Sequence, residues 1–120
     1  MKSFLIGITT LLSASAMACP DLNGTFISAD GKESQTITMS EQAGQTIFVW
    51  GEGGIPMTLD GQVHNIGPAS YKGLCRGESI DIEMKGDGKV IDVTLTKTEK
   101  GYKYTSNDPA NPGRELIKQN

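Results

Sequence analysis

Histidine is nearly absent from this chain: His64 is the single one, and Trp50 is the single tryptophan. A metal centre needs several His, Cys or carboxylate ligands converging on one point, which one histidine does not supply. Nucleophilic catalysis needs a Ser, Cys or Thr beside a base held by a third group, and no serine here sits in such a motif. Carboxylate pairs such as Asp81 and Glu83 exist, but their spacing puts both on one wet strand face, where nothing raises a pKa for acid catalysis. No enzymatic activity, metal or cofactor is expected. Like charges never run more than two in succession, so there is no charged tail. No apolar run approaches the roughly 20 residues that a membrane-spanning helix needs.

What the chain does carry at its start is an export signal. Lys2 supplies a positive n-region, Phe4 to Leu12 (FLIGITTLL) a short apolar h-region, and Ala16-Met17-Ala18 a small-x-small cleavage pattern. Residues 1–18 are read as a cleaved signal peptide of bacterial type, and residues 19–120 as one exported domain, periplasmic or secreted. That domain holds ten Lys+Arg (the eleven of the chain less Lys2) against fourteen Asp+Glu, a net charge of −4. Mild acidity argues against nucleic acid or an anionic lipid surface as partner, since both demand a basic patch.

Cys19 and Cys75 are the only cysteines. In an oxidising compartment an even count reads as a disulfide, which here would also pin the mature N-terminus. The competing reading is lipidation of Cys19, the one route by which a membrane would become a partner. A lipobox normally has a bulky aliphatic residue three positions before the cysteine, where Ala16 stands.

Along residues 19–120 apolar residues recur with a period of two. Leu22, Gly24 and Phe26 share one face; Ile37 and Met39 alternate with threonines; Thr46 to Trp50 is apolar on both faces. Ile55, Met57 and Leu59 lead into Asp60-Gly61, the strongest hairpin signal in the chain, with Gln62 to Ile66 as the return strand. Tyr71 to Cys75, Ser79 to Met84, Lys89 to Thr96, Tyr102 to Thr105 and Arg114 to Gln119 complete the set, with a turn at Gly86-Asp87-Gly88. Short Gly-rich links leave no room for crossover helices, so neighbours pair antiparallel. The expectation is all-β: an up-and-down meander closed into a small barrel of eight or so strands.

A two-residue turn at Asp60-Gly61 would set Leu59 opposite Gln62 and Met57 opposite His64. Gln62 and His64 would then be polar groups on an apolar inner face, able to orient a ligand. Trp50, Met57, Leu59, Gln62 and His64 are therefore the candidate ligand-binding residues. Eight strands leave just enough room for side chains or one small ligand. Two functions follow: a barrel holding a small, largely apolar ligand, or a filled barrel whose surface binds a protein partner as an inhibitor or envelope module.

Leu22-Asn23-Gly24-Thr25-Phe26 resembles the Leu-x-Gly-x-aromatic opening of the calycin barrels, the lipocalins and avidins. Asp60-Gly61-Gln62, followed by Gly86-Asp87-Gly88-Lys89-Val90, is similar to small bacterial lipocalin-like proteins. Phe26 stands where that family usually has Trp, and the several tryptophans that grip biotin in avidins are missing. The resemblance implies an up-and-down barrel that binds a small ligand. It also implies that a basic side chain of the last strand, Arg114 or Lys118, covers the ring of Phe26 and closes one end.

Overall fold

The computed structural model describes residues 19–119; residues 1–18, where a signal peptide is expected, and residue 120 lie outside the described residues. Ten strands and no helix make up the described chain: β1 Gly24–Ser28, β2 Ser34–Gln42, β3 Gln45–Trp50, β4 Met57–Thr58, β5 Val63–Ile66, β6 Ala69–Arg76, β7 Ser79–Gly86, β8 Lys89–Lys97, β9 Gly101–Ser106 and β10 Gly113–Lys118. All pair antiparallel in a single sheet of order β4-β3-β2-β1-β10-β9-β8-β7-β6-β5. The fold is thus the expected all-β up-and-down meander, curled into a half-barrel of ten strands. First and last strands lie side by side at its centre, with Phe26 opposite Lys118 and Ser28 opposite Leu116.

Tight turns set the register. Ala43 and Gly44 both have positive φ (53° and 80°), as do Asp87 and Gly88 (51° and 73°). Such turns match the right-handed twist of their flanking strands. They pin Gln42 opposite Gln45 and Gly86 opposite Lys89. The period-two alternation then decides what is inside. Ile80, Ile82, Val93 and Leu95 face inward and are buried, while Asp81 and Thr94 face out and hydrogen-bond each other at 3.0 Å.

The core runs through Phe26, Phe48, Tyr102, Leu95 and Leu116, each at most 1% exposed. Phe26 meets Tyr102 edge to face, centroids 4.8 Å apart and planes at 76°. Gly101, just before Tyr102, lets β9 pass so close to β10 that a Cβ there would stand 2.0 Å from the Leu116 carbonyl oxygen.

Cys19 and Cys75 form a disulfide, with Cα atoms 5.1 Å apart. It ties the segment before β1 to the end of β6, and it leaves no free cysteine among the described residues. Leu22, 1% exposed, packs behind it in the core. A disulfide of this kind belongs to an oxidising compartment.

Two expectations are corrected. Asp60-Gly61 does not close a β4–β5 hairpin, because β4 and β5 stand at opposite ends of the sheet order. Each strand has another partner: Met57 pairs with Phe48 on β3, and His64 pairs with Tyr71 on β6. The Asp60 carboxylate accepts the Gln62 N–H at 2.9 Å, closing a local turn instead of a hairpin. Arg114 does not cover Phe26 either. It lies over the Tyr104 ring, 4.6 Å from the centroid, and its guanidinium grips Glu33 through both carboxylate oxygens. Inward positions on β10 recur every second residue, so Arg114, four positions before Lys118, reaches a different ring, that of Tyr104. Lys118 is the basic residue directly opposite Phe26, and it shares a small surface groove with Phe26 and Leu22.

Candidate functional site

Where the hairpin was expected, the chain makes a corner. Before Asp60 it belongs to β3's side of the sheet, with the Leu59 N–H donating to the Thr46 carbonyl at 2.9 Å. After Asp60 it belongs to β6's side, with the Gly61 N–H donating to the Gly73 carbonyl at 2.8 Å. β4 and β5 diverge from this corner as the two legs of a V. Between the legs lies an open pocket of about 500 Å³, within the size range of sites for small ligands.

Its walls are apolar. Ile55 and Met57 come from the β4 leg, Ile66 from the β5 leg, and Trp50, Met84 and Ile91 from the strands beneath. Met84 and Ile91 are cross-strand partners on the inner face of β7 and β8. Ile55 is 54% exposed and Ile66 38%, so both stand uncovered at the opening. Charge is confined to the β7–β8 turn, where Lys85, Asp87 and Lys89 form the rim.

The corner is held by a side-chain relay. Tyr71, on the pocket wall, accepts the Thr58 N–H on its hydroxyl at 2.9 Å. The His64 ring stacks on the Tyr71 ring, centroids 5.1 Å apart and planes at 21°. His64 Nε2 lies 3.0 and 3.1 Å from the two Asp60 carboxylate oxygens. Burial by itself pushes the Asp60 carboxyl up, but hydrogen bonds from His64 and the Gln62 N–H outweigh it, and the pKa is lowered.

Behind the pocket a second relay fixes Trp50. Its ring sits 5.4 Å from that of Tyr104 and 6.4 Å from that of Phe48. Arg114 covers Tyr104 and is anchored by Glu33. The hydrogen bond from Arg114 is the main cause of Glu33's lowered pKa, and the same bond raises that of Arg114. Trp50 Nε1 and the Tyr102 hydroxyl are buried without hydrogen-bond partners.

Of the five residues expected to meet a ligand, the structure brings two together: Trp50 and Met57 line the pocket. Leu59 is buried at the corner, where its Cδ2 fills the space that a Gly73 side chain would need. Gln62 is exposed, and His64 stands behind Tyr71 instead of in an opening. Their placement followed from the hairpin, and it fails with the hairpin. Met84 and Ile91 were missed as site residues. Alternation marks them as inward-facing, but only the gap between β4 and β5 leaves that part of the inner face uncovered.

A second groove among the described residues has different chemistry. The groove on the outer face of β6–β8, about 380 Å³, mixes Lys72, Arg76, Asp81, Glu83 and Asp92. Its Arg76 and Asp81 already pair at 2.8 Å. Among the described residues no cluster of three or more His, Cys, Asp or Glu converges as metal ligands would. No protein-family model matches the chain, and neither a curated protein nor a solved structure matches it.

Proposed function

We propose that the mature protein is an exported, non-enzymatic barrel that holds a small, largely apolar ligand in the V between β4 and β5. The observation that carries this reading is the pocket itself: about 500 Å³ with largely apolar walls, left open between the two edge strands of a curled sheet. Small domains bury such surface where they can, and an uncovered apolar patch marks a binding site more often than chance. The disulfide supports an exported location, because bridges of this kind persist outside the reducing cytosol. The resemblance to lipocalin-like barrels agrees with ligand binding and adds no ligand identity.

A second reading, a protein-binding surface, has its own support: Val63 and Leu74 expose 60% and 45% of their surface on the outer side of β5 and β6. Trp50, as sole tryptophan on the pocket wall, is a built-in reporter that separates the two. Titrating the mature protein with an environment-sensitive apolar dye should give saturable binding and energy transfer from Trp50. Met84→Glu places a charge on the pocket floor, which must be desolvated by any apolar ligand. It should weaken dye binding at least tenfold, a loss of about 1.4 kcal/mol. Absence of saturable binding to the wild type would remove the pocket reading and leave the protein surface.

A further inference from the structure

We propose that the V takes an extended, uncharged peptide segment, which adds as a strand to the free edge of β5. This rests on the V being the ligand site and names the chemical class of its ligand. The argument starts from main-chain hydrogen bonds. β5 turns into β6 through Gly67-Pro68, with Ile66 opposite Ala69. A two-residue turn closes on a hydrogen-bonded pair, so Ile66 and Ala69 bond each other directly, in phase with the Gly73 carbonyl, which accepts the Gly61 N–H on the same side of β6. Bonding then alternates, and His64 is the next residue tied to β6. The N–H and C=O groups of Val63 and Asn65 therefore point away from β6, along the free edge of β5.

No turn, loop or side-chain hydrogen bond among the described residues reaches those four groups. The other leg is different. Met57 and Leu59 are tied to β3, and the Thr58 N–H, which faces the V, is already donated to Tyr71. Pro56 has no N–H to offer. Residues 56–59 of the β4 leg thus offer no free N–H on that side, whereas the β5 edge keeps two N–H and two C=O groups.

Exposed edges are normally blunted by lysine, proline or a bulge. β5, with the sequence Val63-His64-Asn65-Ile66, contains neither Lys nor Pro and pairs in unbroken register with β6. Of the five large hydrophobic residues exposed among the described residues, four cluster here. Ile55 and Ile66 stand inside the V, and Val63 and Leu74 lie just outside it. A strand added to β5 sends alternate side chains inward over Met57, Met84 and Trp50, and the others outward beside Val63. A plain hydrocarbon would use only the inner set and none of the four backbone groups.

Charge complementarity sets the rest. The pocket's charged residues, Lys85, Asp87 and Lys89, stand at the rim, so the inserted part is neutral. The corner at Asp60 closes one end of the V, and the β4 leg stands across from the free edge.

The test uses the mature protein and two probes: the N-acetylated, C-amidated hexapeptide Val-Thr-Val-Thr-Val-Thr, and the same peptide N-methylated at alternate residues on the amides that would face β5. The plain peptide should bind saturably by Trp50 emission and slow amide exchange at Val63 and Asn65 by at least tenfold, a change of about 1.4 kcal/mol in opening free energy. The N-methylated peptide, with the same side chains and no matching donors, should bind at least tenfold more weakly, again about 1.4 kcal/mol. Equal binding of the two peptides, or protection elsewhere than β5, overturns strand addition. A dye that binds where neither peptide does overturns it while leaving the ligand site standing. If dye and peptides all fail to bind, both readings fall.

Discussion

Tyr102→Phe should stabilise this protein, the reverse of what removing a buried hydroxyl usually does. The Tyr102 ring is fully buried and packs edge to face on Phe26. Its hydroxyl has no hydrogen-bond partner. Burial raises the phenol's pKa, with the neighbouring Trp50 side chain and Arg114 pulling it partly back. The indole is thus near enough to be felt but not placed to make a hydrogen bond. An unsatisfied buried polar group costs about 1–3 kcal/mol, and phenylalanine removes it while keeping the ring contact. Against this stand a void of one oxygen and the lost Trp50 attraction, so a net gain of about 1 kcal/mol is expected. For a domain of this size that raises Tm by about 4–8 °C. Urea unfolding followed by far-UV circular dichroism measures it directly, with an unchanged m-value. Because the folded-state pKa is raised, the protonated phenol's stabilisation is fully present below the unfolded pKa of about 10 and declines as pH rises beyond it. Wild type should therefore lose more stability than Tyr102→Phe between neutral pH and the alkaline range. A lower urea midpoint for the variant at neutral pH would show that the hydroxyl has a partner and that the interior is arranged differently.

Reducing the Cys19–Cys75 bridge opens a loop with a sequence separation of 56 residues and should cost about 4 kcal/mol by chain entropy. A urea midpoint unmoved by reductant would show that the bridge is not formed. Glu33→Gln removes the anchor of Arg114 and should cost up to about 1 kcal/mol at neutral pH, since the pair is partly exposed. Glu33's folded pKa is depressed, so the difference should be full above the unfolded value of about 4.3 and fade as pH falls through the folded one; a gap that does not narrow on acidification would refute the ion pair's role. Gly101→Ala forces a Cβ to within 2.0 Å of the Leu116 carbonyl, whereas Gly73→Ala meets only the tip of Leu59 at 2.6 Å. Backbone cannot yield as a side chain can, so the first should prevent folding and the second should give a folded protein with a loosened corner; comparable urea midpoints would refute the ranking.

How much of this was legible in the chain depends on the range of the interaction. Strand positions were, because alternation is local: Ile80, Ile82 and Met84 against Asp81 and Glu83 need no knowledge of the rest. The bridge was, because two cysteines offer one pairing. The β1–β10 neighbourhood was implied only through resemblance, and it placed Lys118 beside Phe26 while misplacing Arg114. Which inward side chain of β10 meets which ring depends on register, and register is set by Tyr104 opposite Arg114 and Tyr102 opposite Leu116, pairings that strand periodicity leaves undetermined. The candidate site was the least legible part, since Met57, Leu59, Gln62 and His64 were named through a pairing that does not form, and of these only Met57 joins Trp50 in the pocket.

The failed hairpin and the pocket have one cause. Asp60-Gly61 is a strong turn signal when both flanking strands are free to pair, but here neither is. β4 is only two residues long, cut off behind by Pro56, and its single V-facing N–H is taken by Tyr71. β5 is recruited to β6 by a two-residue turn at Gly67-Pro68, with Gly67 at φ 59°. Leu59 then commits the corner to β6, because Gly73 leaves it a space that any side chain would fill. Tertiary partners on each side outcompete the local turn, as context routinely does for strands. Once the legs are drawn apart, Trp50, Met84 and Ile91 lose the cover that a closed barrel would give them, and their exposure is the pocket proposed as the ligand site. The same residues that defeat the sequence pattern therefore open the pocket, which is where a conflict between local preference and global fold is expected to mark function.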